Sequence, residues 1–365
     1  MTIRYVDGAN GNDAWDGLAP NFVSGTNGPK ATWNGAEDTP VVAGDLVHVR
    51  SGTYRELLTV DVSGTAGNAI EYRGDHAGVI WPGGGPVRIT GSDNDQTATR
   101  ANCISANAKN YRVFTGFVMD MCTGSLISLV TAASDNWIIQ YCVFGQSNAG
   151  HNLNIYIGST NFTIQNCVFT GTHAQYNNIT FNKATTLDNA GHLVQNCLFI
   201  GSTAKCISTD RVGGITVKNC TFMGRPNPAI EVTTALTVGQ TLTVNNCIFV
   251  GNFVAVKATV TGELVENYNT FYGCNTDRTN INTGANSVTY PPLFDPRWLL
   301  ELASGKGRLL LPFDLASYSQ LVNLAGTSPA TTDMRGTAVI GAQREWGALE
   351  YDPALLYRRV IARQA

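Results

Sequence analysis

Asp210 and Glu231 are the two carboxylates in this 365-residue chain whose spacing best suits catalysis. Each lies in a short run of alternating apolar and polar residues, after Ile207 and Ile230 respectively, so both side chains are predicted to point outward from neighbouring strands. If those strands lie ~4.8 Å apart, the two carboxyl groups are about 5–8 Å apart. That separation suits paired-carboxylate glycoside hydrolysis, so the pair is the candidate catalytic pair if the chain is an enzyme.

The same alternation predicts a wider polar strip around this pair. With Ile155, Ile179 and Ile207 pointing inward, the first outward row holds Tyr156, Thr180, Ser208, Glu231 and Lys257, and the next holds Asn182, Asp210 and Thr233. The glycan-binding candidates are Tyr156, Asn182, Asp210, Glu231 and Lys257. Lys205, Arg211 and Lys218 are nearby in sequence and could contact an acidic sugar. The alternative stays open that the strip is only a solvated face, because outward strand residues are polar by default.

Other candidate chemistry is weaker. The sequence has no group of carboxylates suited to calcium and no His/Cys spacing typical of zinc, so neither a metal nor a cofactor is predicted. His151, His173 and His192 fall at turns or in an insertion and are interpreted as solvated loop residues.

Composition excludes several classes of protein. Only 14% of residues are charged and the formal net charge is −3, which argues against a nucleic-acid binder. Apolar runs such as residues 308–313 are far shorter than the ~20 residues of a membrane span. No secretory signal is apparent at the start of the sequence, and the nine cysteines are expected to be free, buried thiols.

A repeat organises the middle of the chain. The pattern Asn-Cys-x-Phe-x-Gly occurs at Asn166–Gly171, Asn196–Gly201, Asn219–Gly224 and Asn246–Gly251, with degenerate copies at Tyr141–Gln146 and Tyr268–Gly273. Short alternating runs precede and separate the copies, and no period contains a helical pattern. The repeat therefore predicts about three short strands in each coil of roughly 25 residues.

Such coils stack into an all-β, right-handed parallel β-helix of about ten coils. The Cys and Phe of each copy are two residues apart and should both point inward, forming ladders along the core. The Asn before Cys should occupy a left-handed bend and bond to the equivalent Asn of the next coil.

These features resemble the pectate-lyase-like superfamily of parallel β-helix proteins. The segments around Tyr5 and Gly44 look like the usual start of such a helix, and those around Pro292 and Trp346 look like its end. The resemblance implies an N-terminal cap over residues 1–40, the β-helix over 41–290, and a C-terminal cap and assembly tail over 291–365. It is poorly specific for function, because this scaffold hosts lyases, hydrolases, adhesins and phage spikes.

Three functions are compatible with the sequence. The first is a phage virion structural protein, a head decoration, spike or fibre that uses the rigid rod for assembly and glycan adhesion. Its expected partners are other copies, as a homo-oligomer of the trimeric type seen among phage spikes, other virion proteins and a host polysaccharide, and its location is the virion. The alternative is a secreted polysaccharide lyase or glycoside hydrolase. The third is a surface adhesin.

Overall fold

The computed structural model describes residues 1–292, except 39–40, 130–131, 157, 172–174, 188–189, 203 and 225–226 and the side chains of Tyr156 and residues 183–187. The predicted C-terminal cap over 291–365 therefore lies almost wholly outside the described residues. No helix within the described part of the chain is long and apolar enough to cross a membrane.

Short β-strands make up nearly all the regular structure. The described residues contain one α-helix, α1 (Trp33–Asp38), and 28 strands. The first fourteen are β1 (Ile3–Val6), β2 (Leu46–Arg50), β3 (Gly52–Tyr54), β4 (Leu58–Val60), β5 (Ile70–Asp75), β6 (Val87–Thr90), β7 (Ile104–Ala106), β8 (Arg112–Thr115), β9 (Val118–Asp120), β10 (Ile127–Leu129), β11 (Ile138–Gln140), β12 (Val143–Phe144), β13 (Leu153–Tyr156) and β14 (Thr163–Gln165). The remaining fourteen are β15 (Val168–Phe169), β16 (Ile179–Leu187), β17 (His192–Gln195), β18 (Leu198–Ile200), β19 (Ile207–Val212), β20 (Ile215–Lys218), β21 (Thr221–Met223), β22 (Ile230–Thr234), β23 (Leu242–Asn245), β24 (Ile248–Val250), β25 (Val254–Lys257), β26 (Leu264–Asn267), β27 (Thr270–Tyr272) and β28 (Thr276–Thr279).

The strands form three parallel sheets that wind as a right-handed β-helix, which confirms the predicted fold. Sheet 1 has the order β1-β2-β5-β8-β11-β14-β17-β20-β23-β26. Sheet 2 contains β3, β6, β9, β12, β15, β18, β21, β24 and β27. Sheet 3 contains β4, β7, β10, β13, β16, β19, β22, β25 and β28. Each coil passes through the three sheets in turn, so a residue in one coil lies beside its equivalent in the next.

The core consists of the predicted ladders. Six phenylalanines stack along sheet 2 with ring centroids 4.7–5.0 Å apart and planes within 10° of parallel: Phe144, Phe169, Phe199, Phe222, Phe249 and Phe271. All nine cysteines are free, and all but Cys274 are buried. Burial raises the pKa of Cys206, which makes that thiol a packing group rather than a nucleophile.

The bends between sheets 1 and 2 are left-handed, as predicted. Asn166, Asn196, Asn219 and Asn246 have φ values between 52° and 57°. The Asn196 amide donates to Asn166 Oδ1 at 3.1 Å, so neighbouring bends are also joined by hydrogen bonds. Asn is suited to this position because it tolerates the left-handed region better than most residues.

The prediction for His192 is wrong. His192 is buried, because it is the first residue of β17 and its side chain points into the core. Its ring stacks on Phe181 at 4.5 Å, and its Nδ1 accepts from the backbone N–H of Phe162. His192 is therefore a core residue rather than the solvated loop residue that its place beside an insertion indicated.

The N-terminal segment closes one end of the solenoid. Strand β1 pairs with β2 at the edge of sheet 1, and Trp33 of α1 stacks on Tyr72 at 5.5 Å. Glu37 of α1 forms a fully buried ion pair with Arg112 and accepts from the Tyr72 hydroxyl group. Residues 1–38 thus contribute both an edge strand and a plug to the core.

Candidate functional site

Most of the charged residues singled out from the sequence lie on the outer side of sheet 3. In the register of β16, β19, β22 and β25, Thr180, Ser208, Glu231 and Lys257 are successive neighbours. Their inward neighbours Ile179, Ile207, Ile230 and Val256 are buried. The row predicted from the alternation of apolar and polar residues is therefore correct from Thr180 to Lys257.

The register of Tyr156 differs from the prediction. Strand β13 pairs Leu153 with Ile179 and Ile155 with Phe181, so the residue beside Thr180 is Asn154. Tyr156 instead lies opposite Asn182, which in turn lies opposite Asp210. The prediction was wrong because two successive inward residues of β13 are apolar, and alternation alone could not tell which of them matches Ile179.

The second outward row, predicted as Asn182, Asp210 and Thr233, also differs from the prediction at its last residue. Asp210 lies opposite Thr234, not Thr233, because the pairing of β19 with β22 shifts after Thr209. The shift coincides with a left-handed backbone at Arg211, whose φ is 58°. A positive φ is uncommon outside glycine, and no feature of the sequence signalled it here.

Glu231 lies between two lysines. Its Oε2 accepts from Lys205 Nζ at 2.5 Å, and its Oε1 accepts from Lys257 Nζ at 2.8 Å. The Glu231 side chain is only 8% exposed, whereas those of Lys205 and Lys257 are 29% and 43% exposed. The carboxylate thus holds two ammonium groups from different coils side by side, and both ammonium groups still reach solvent.

Asp210 completes a charged cluster, defined here as Lys205, Asp210, Arg211, Glu231 and Lys257. Arg211 Nη1 lies 3.3 Å from Asp210 Oδ2, and the Asp210 side chain is 24% exposed. Asp210 Oδ1 accepts no hydrogen bond from any residue that the structure describes. The cluster holds three cations and two carboxylates, so it carries a local positive charge in a chain whose net charge is negative.

His151 borders the cluster and is not a solvated loop residue. Its Nδ1 accepts from the backbone N–H of Asn177 at 2.9 Å and lies 3.1 Å from Thr180 Oγ1. Burial, and to a smaller extent the charge of Lys205, lowers the pKa of His151 to about 4. With Nδ1 used as an acceptor, the ring is neutral and carries its proton on Nε2. His173 lies outside the described residues.

The remaining sequence candidates can also be located. Lys218 lies on sheet 1, away from the cluster, and the structure places Asn182 beside Asp210 on sheet 3. Within the part of the chain that the structure describes, no three His, Cys, Asp or Glu residues are grouped so that they could hold a metal ion. The carboxylates near the N-terminus serve turns: Asp16, for example, accepts from the backbone of Leu18 and the side chain of Asn27.

Comparison with solved structures supports the fold. No protein-family profile and no curated protein matches the sequence. The structure is similar to that of a pectate lyase, Pel9A, with a TM-score of 0.59 and 14% identity over 96% of this chain and 97% of the other. A rhamnogalacturonan lyase gives a TM-score of 0.48 and 14% identity, covering 79% of this chain and 84% of the other. An alginate lyase from Paenibacillus gives 0.39 and 14%, covering 70% and 95%.

By their descriptions, these three neighbours are a pectate lyase, a rhamnogalacturonan lyase and an alginate lyase. At this level of identity the likeness concerns the fold, and function must be argued from the site. The comparisons give no support to the virion interpretation. Location in a virion and trimeric assembly remain predictions of the sequence resemblance alone.

Proposed function

We propose that this chain is a polysaccharide-active protein that binds an anionic glycan along the outer face of sheet 3. The observation that carries the proposal is the charged cluster, in which Glu231 fixes the ammonium groups of Lys205 and Lys257 next to each other. Their separation is set by the solenoid, since they come from coils on either side of Glu231. A rigid pair of cations recognises a carboxylate with little loss of side-chain entropy on binding.

The role of Glu231 follows from its contacts. Both carboxylate oxygens accept from ammonium groups, so neither is available in this arrangement to protonate a glycosidic oxygen. Glu231 is therefore a positioning residue for the lysines. Uronic acid residues carry one carboxylate per sugar, and a chain of them running across the coils would meet the cluster, with neutral His151 beside it as a hydrogen-bond donor.

Cleavage of that glycan is a second candidate function, and Asp210 favours it. This carboxylate belongs to the charged cluster and its side chain is 24% exposed. Its Oδ2 lies 3.3 Å from Arg211 Nη1, and its Oδ1 is buried and has no hydrogen-bond donor among the described residues. The partly exposed Oδ2, which accepts one long contact from Arg211, can still take up a proton as a general base. Substituting it should then separate cleavage from binding.

Calorimetric titration with polygalacturonate and alginate tests the binding proposal. Wild-type protein should bind at least one of them, more weakly at high ionic strength because exposed charges are screened. The double variant Lys205→Met, Lys257→Met should lose that affinity by at least about tenfold, which corresponds to ~1.4 kcal/mol. Lys218→Met, a change of the same type on sheet 1, is the matched control. Binding of neither polyuronate, or an unchanged affinity in the double variant, would refute the proposal.

The same samples test cleavage. Release of reducing ends, together with ultraviolet absorbance of unsaturated products, distinguishes hydrolysis from elimination. If Asp210 acts as proposed, Asp210→Asn abolishes release while the affinity for the glycan is retained. Full activity of this variant would remove Asp210 from the mechanism, and binding without any release would identify the protein as a glycan-binding module.

A further inference from the structure

The outer face of sheet 1 differs from that of sheet 3 because it is almost free of charge. From β8 to β26 it presents two outward rows, defined here as the sheet-1 strip. The first row is Val113, Ile138, Thr163, Leu193, Thr216, Thr243 and Val265. The second row is Thr115, Gln140, Gln165, Gln195, Lys218, Asn245 and Asn267. Lys218 is the one charged member of the two rows.

Part of the second row is a hydrogen-bonded ladder with one direction. Gln195 Nε2 donates to Gln165 Oε1 at 2.7 Å, and Gln165 Nε2 donates to Gln140 Oε1 at 2.7 Å. Gln140 Nε2 then donates to Thr115 Oγ1 at 3.2 Å, and Thr115 donates to Glu71 Oε1 at 2.9 Å. The ladder therefore ends on a carboxylate, which fixes the orientation of every amide in it.

The ladder leaves hydrogen-bonding capacity on its outer side. Gln140 and Gln165 each use one N–H as donor and one oxygen lone pair as acceptor within the ladder. A side-chain amide has two N–H donors and two acceptor sites, so one of each remains per glutamine. These groups are held in place before any ligand arrives.

The strip ends in a cleft at its C-terminal end. Val265 and Asn267 form one wall, and Asn282, Thr283 and Ala285 line the other. Buried Glu266 fixes the second wall by accepting from the Gly284 N–H at 2.6 Å and from the Ser287 hydroxyl at 2.5 Å. Glu266 is the one charged residue in the cleft lining; it is buried and forms an ion pair with Arg278, so the polar groups that the cleft offers are mainly side-chain amides and hydroxyls.

We propose that the sheet-1 strip and its cleft bind a neutral polysaccharide, laid along the axis of the solenoid. Oriented amides pair with sugar hydroxyl groups, and the neighbouring row of Val, Ile, Leu and Thr contacts the C–H face of each sugar. The coils repeat every ~4.8 Å, so equivalent groups recur along an extended chain of sugars. A ligand that is uncharged fits a surface that offers it no counter-charge over the four coils from Thr115 to Gln195.

A second copy of this chain fits the strip less well. Interfaces between protein subunits have an apolar centre enriched in aromatic side chains. Neither row of the strip contains an aromatic residue, and its largest apolar members, Ile138 and Leu193, are already half-buried. A row of amides beside a row of short apolar and threonine side chains is better suited to binding a sugar than to packing against the sheet of a second copy.

Affinity electrophoresis in gels containing soluble glucan, mannan or xylan tests the proposal. Wild-type protein should be retarded by at least one of them, at low and high ionic strength alike. Gln140→Ala with Gln165→Ala should weaken the affinity about tenfold, because two oriented hydrogen-bonding groups are lost. Thr163→Arg, which places a long charged side chain on the strip, should weaken it as well and does not rely on the ladder.

Two controls separate this proposal from that for sheet 3. Lys205→Met with Lys257→Met should leave retardation by the neutral glycan unchanged, and thermal unfolding should show that each variant is folded. Loss of neutral-glycan binding only in the lysine variant would move the site to sheet 3 and overturn the proposal. Absence of retardation by all three glycans would overturn it too, as would a wild-type dimer that the strip variants convert to monomer in light scattering.

Discussion

The middle coils and the two ends of the solenoid place opposite chemistry at equivalent inward positions of sheet 1. In the middle these positions hold buried apolar residues: Phe162 and Ile215 are equivalent to Arg112, and Val194 and Val217 are equivalent to Glu266. Towards the N-terminal end, Arg112 occupies an inward position in register with Ile70 and pairs with Glu37. In the last coil that the structure describes, Glu266 occupies the position beside Val244.

The difference teaches how a solenoid is closed. A middle coil has an equivalent coil above and below it, so its apolar side chains stack on apolar side chains at equivalent positions. An end coil lacks a coil on one side and is covered there by an irregular segment. The polar backbone and side-chain groups of that segment need hydrogen-bond partners. Glu266 satisfies Arg278, Gly284 and Ser287 at one end, as Glu37 satisfies Arg112 and Tyr72 at the other.

The aromatic stack offers the largest test of this contrast. Phe222 lies between Phe199 at 4.7 Å and Phe249 at 4.8 Å, so Phe222→Ala should lower the free energy of unfolding by about 3–5 kcal/mol. Phe271, the last ring of the stack among the described residues, has Phe249 on one side and the Arg278 guanidinium 4.1 Å from its ring centroid. Phe271→Ala should lower the free energy of unfolding by less, because the flexible Arg278 side chain can move into the space left by the ring. Urea unfolding measures both, and an equal or larger loss at Phe271 would contradict the contrast.

The buried ion pair is the next test. Arg112→Met leaves the Glu37 carboxylate without its counter-charge inside the protein, which should cost about 3 kcal/mol. Glu37→Gln combined with Arg112→Met should recover most of that loss, since no charge then remains unpaired. Equilibrium unfolding of the single and double variants gives the coupling between the two changes. If the loss of unfolding free energy in the double variant equalled the sum of the losses in the two single variants, the contribution of these residues would come from packing rather than from their charges.

The sequence was sufficient to predict the middle of the molecule. The Phe and Cys ladders and the left-handed Asn bends follow from one repeated pattern, because each coil places equivalent residues in equivalent surroundings. The row from Thr180 to Lys257 was predicted for the same reason. Tyr156 was misplaced because β13 begins with two candidate inward residues, Leu153 and Ile155, and only the pairing with β16 decides between them.

Contacts made by residues outside the repeated pattern could not be predicted in this way. Arg112 and Glu37 are charged, and charge in a sequence ordinarily indicates a surface position. The contacts of Glu231 with both lysines required the register of three coils, whereas the sequence indicated only that Lys205 and Lys257 were close. The amide ladder of sheet 1 was equally hidden, because a Gln at the end of each alternating run is typical of any solvated strand.

His192 gives the smallest predicted effect and concerns a polar group within the apolar middle. Burial lowers its pKa from 6.5 to about 3, so the folded protein keeps the ring neutral at pH values where the unfolded chain takes up a proton. The unfolded state then binds more protons than the folded state, and stability falls as the pH drops from about 6.5 towards 3. Above pH 6.5 this contribution is constant.

Between pH 7 and pH 5 the loss should be about 2 kcal/mol, at ~1.4 kcal/mol for each pH unit below 6.5. His192→Gln removes the titrating group and retains a side-chain acceptor for the Phe162 N–H, so its stability should fall by about 2 kcal/mol less over the same interval. Urea unfolding of both proteins at the two pH values measures the difference, and the other titrating groups cancel in the comparison. The ring contacts of His192 with Phe181 and Phe162 underlie this prediction. If the stabilities of the two proteins changed in parallel with pH, the imidazole would be protonated equally in the folded and unfolded states, and the prediction would be wrong.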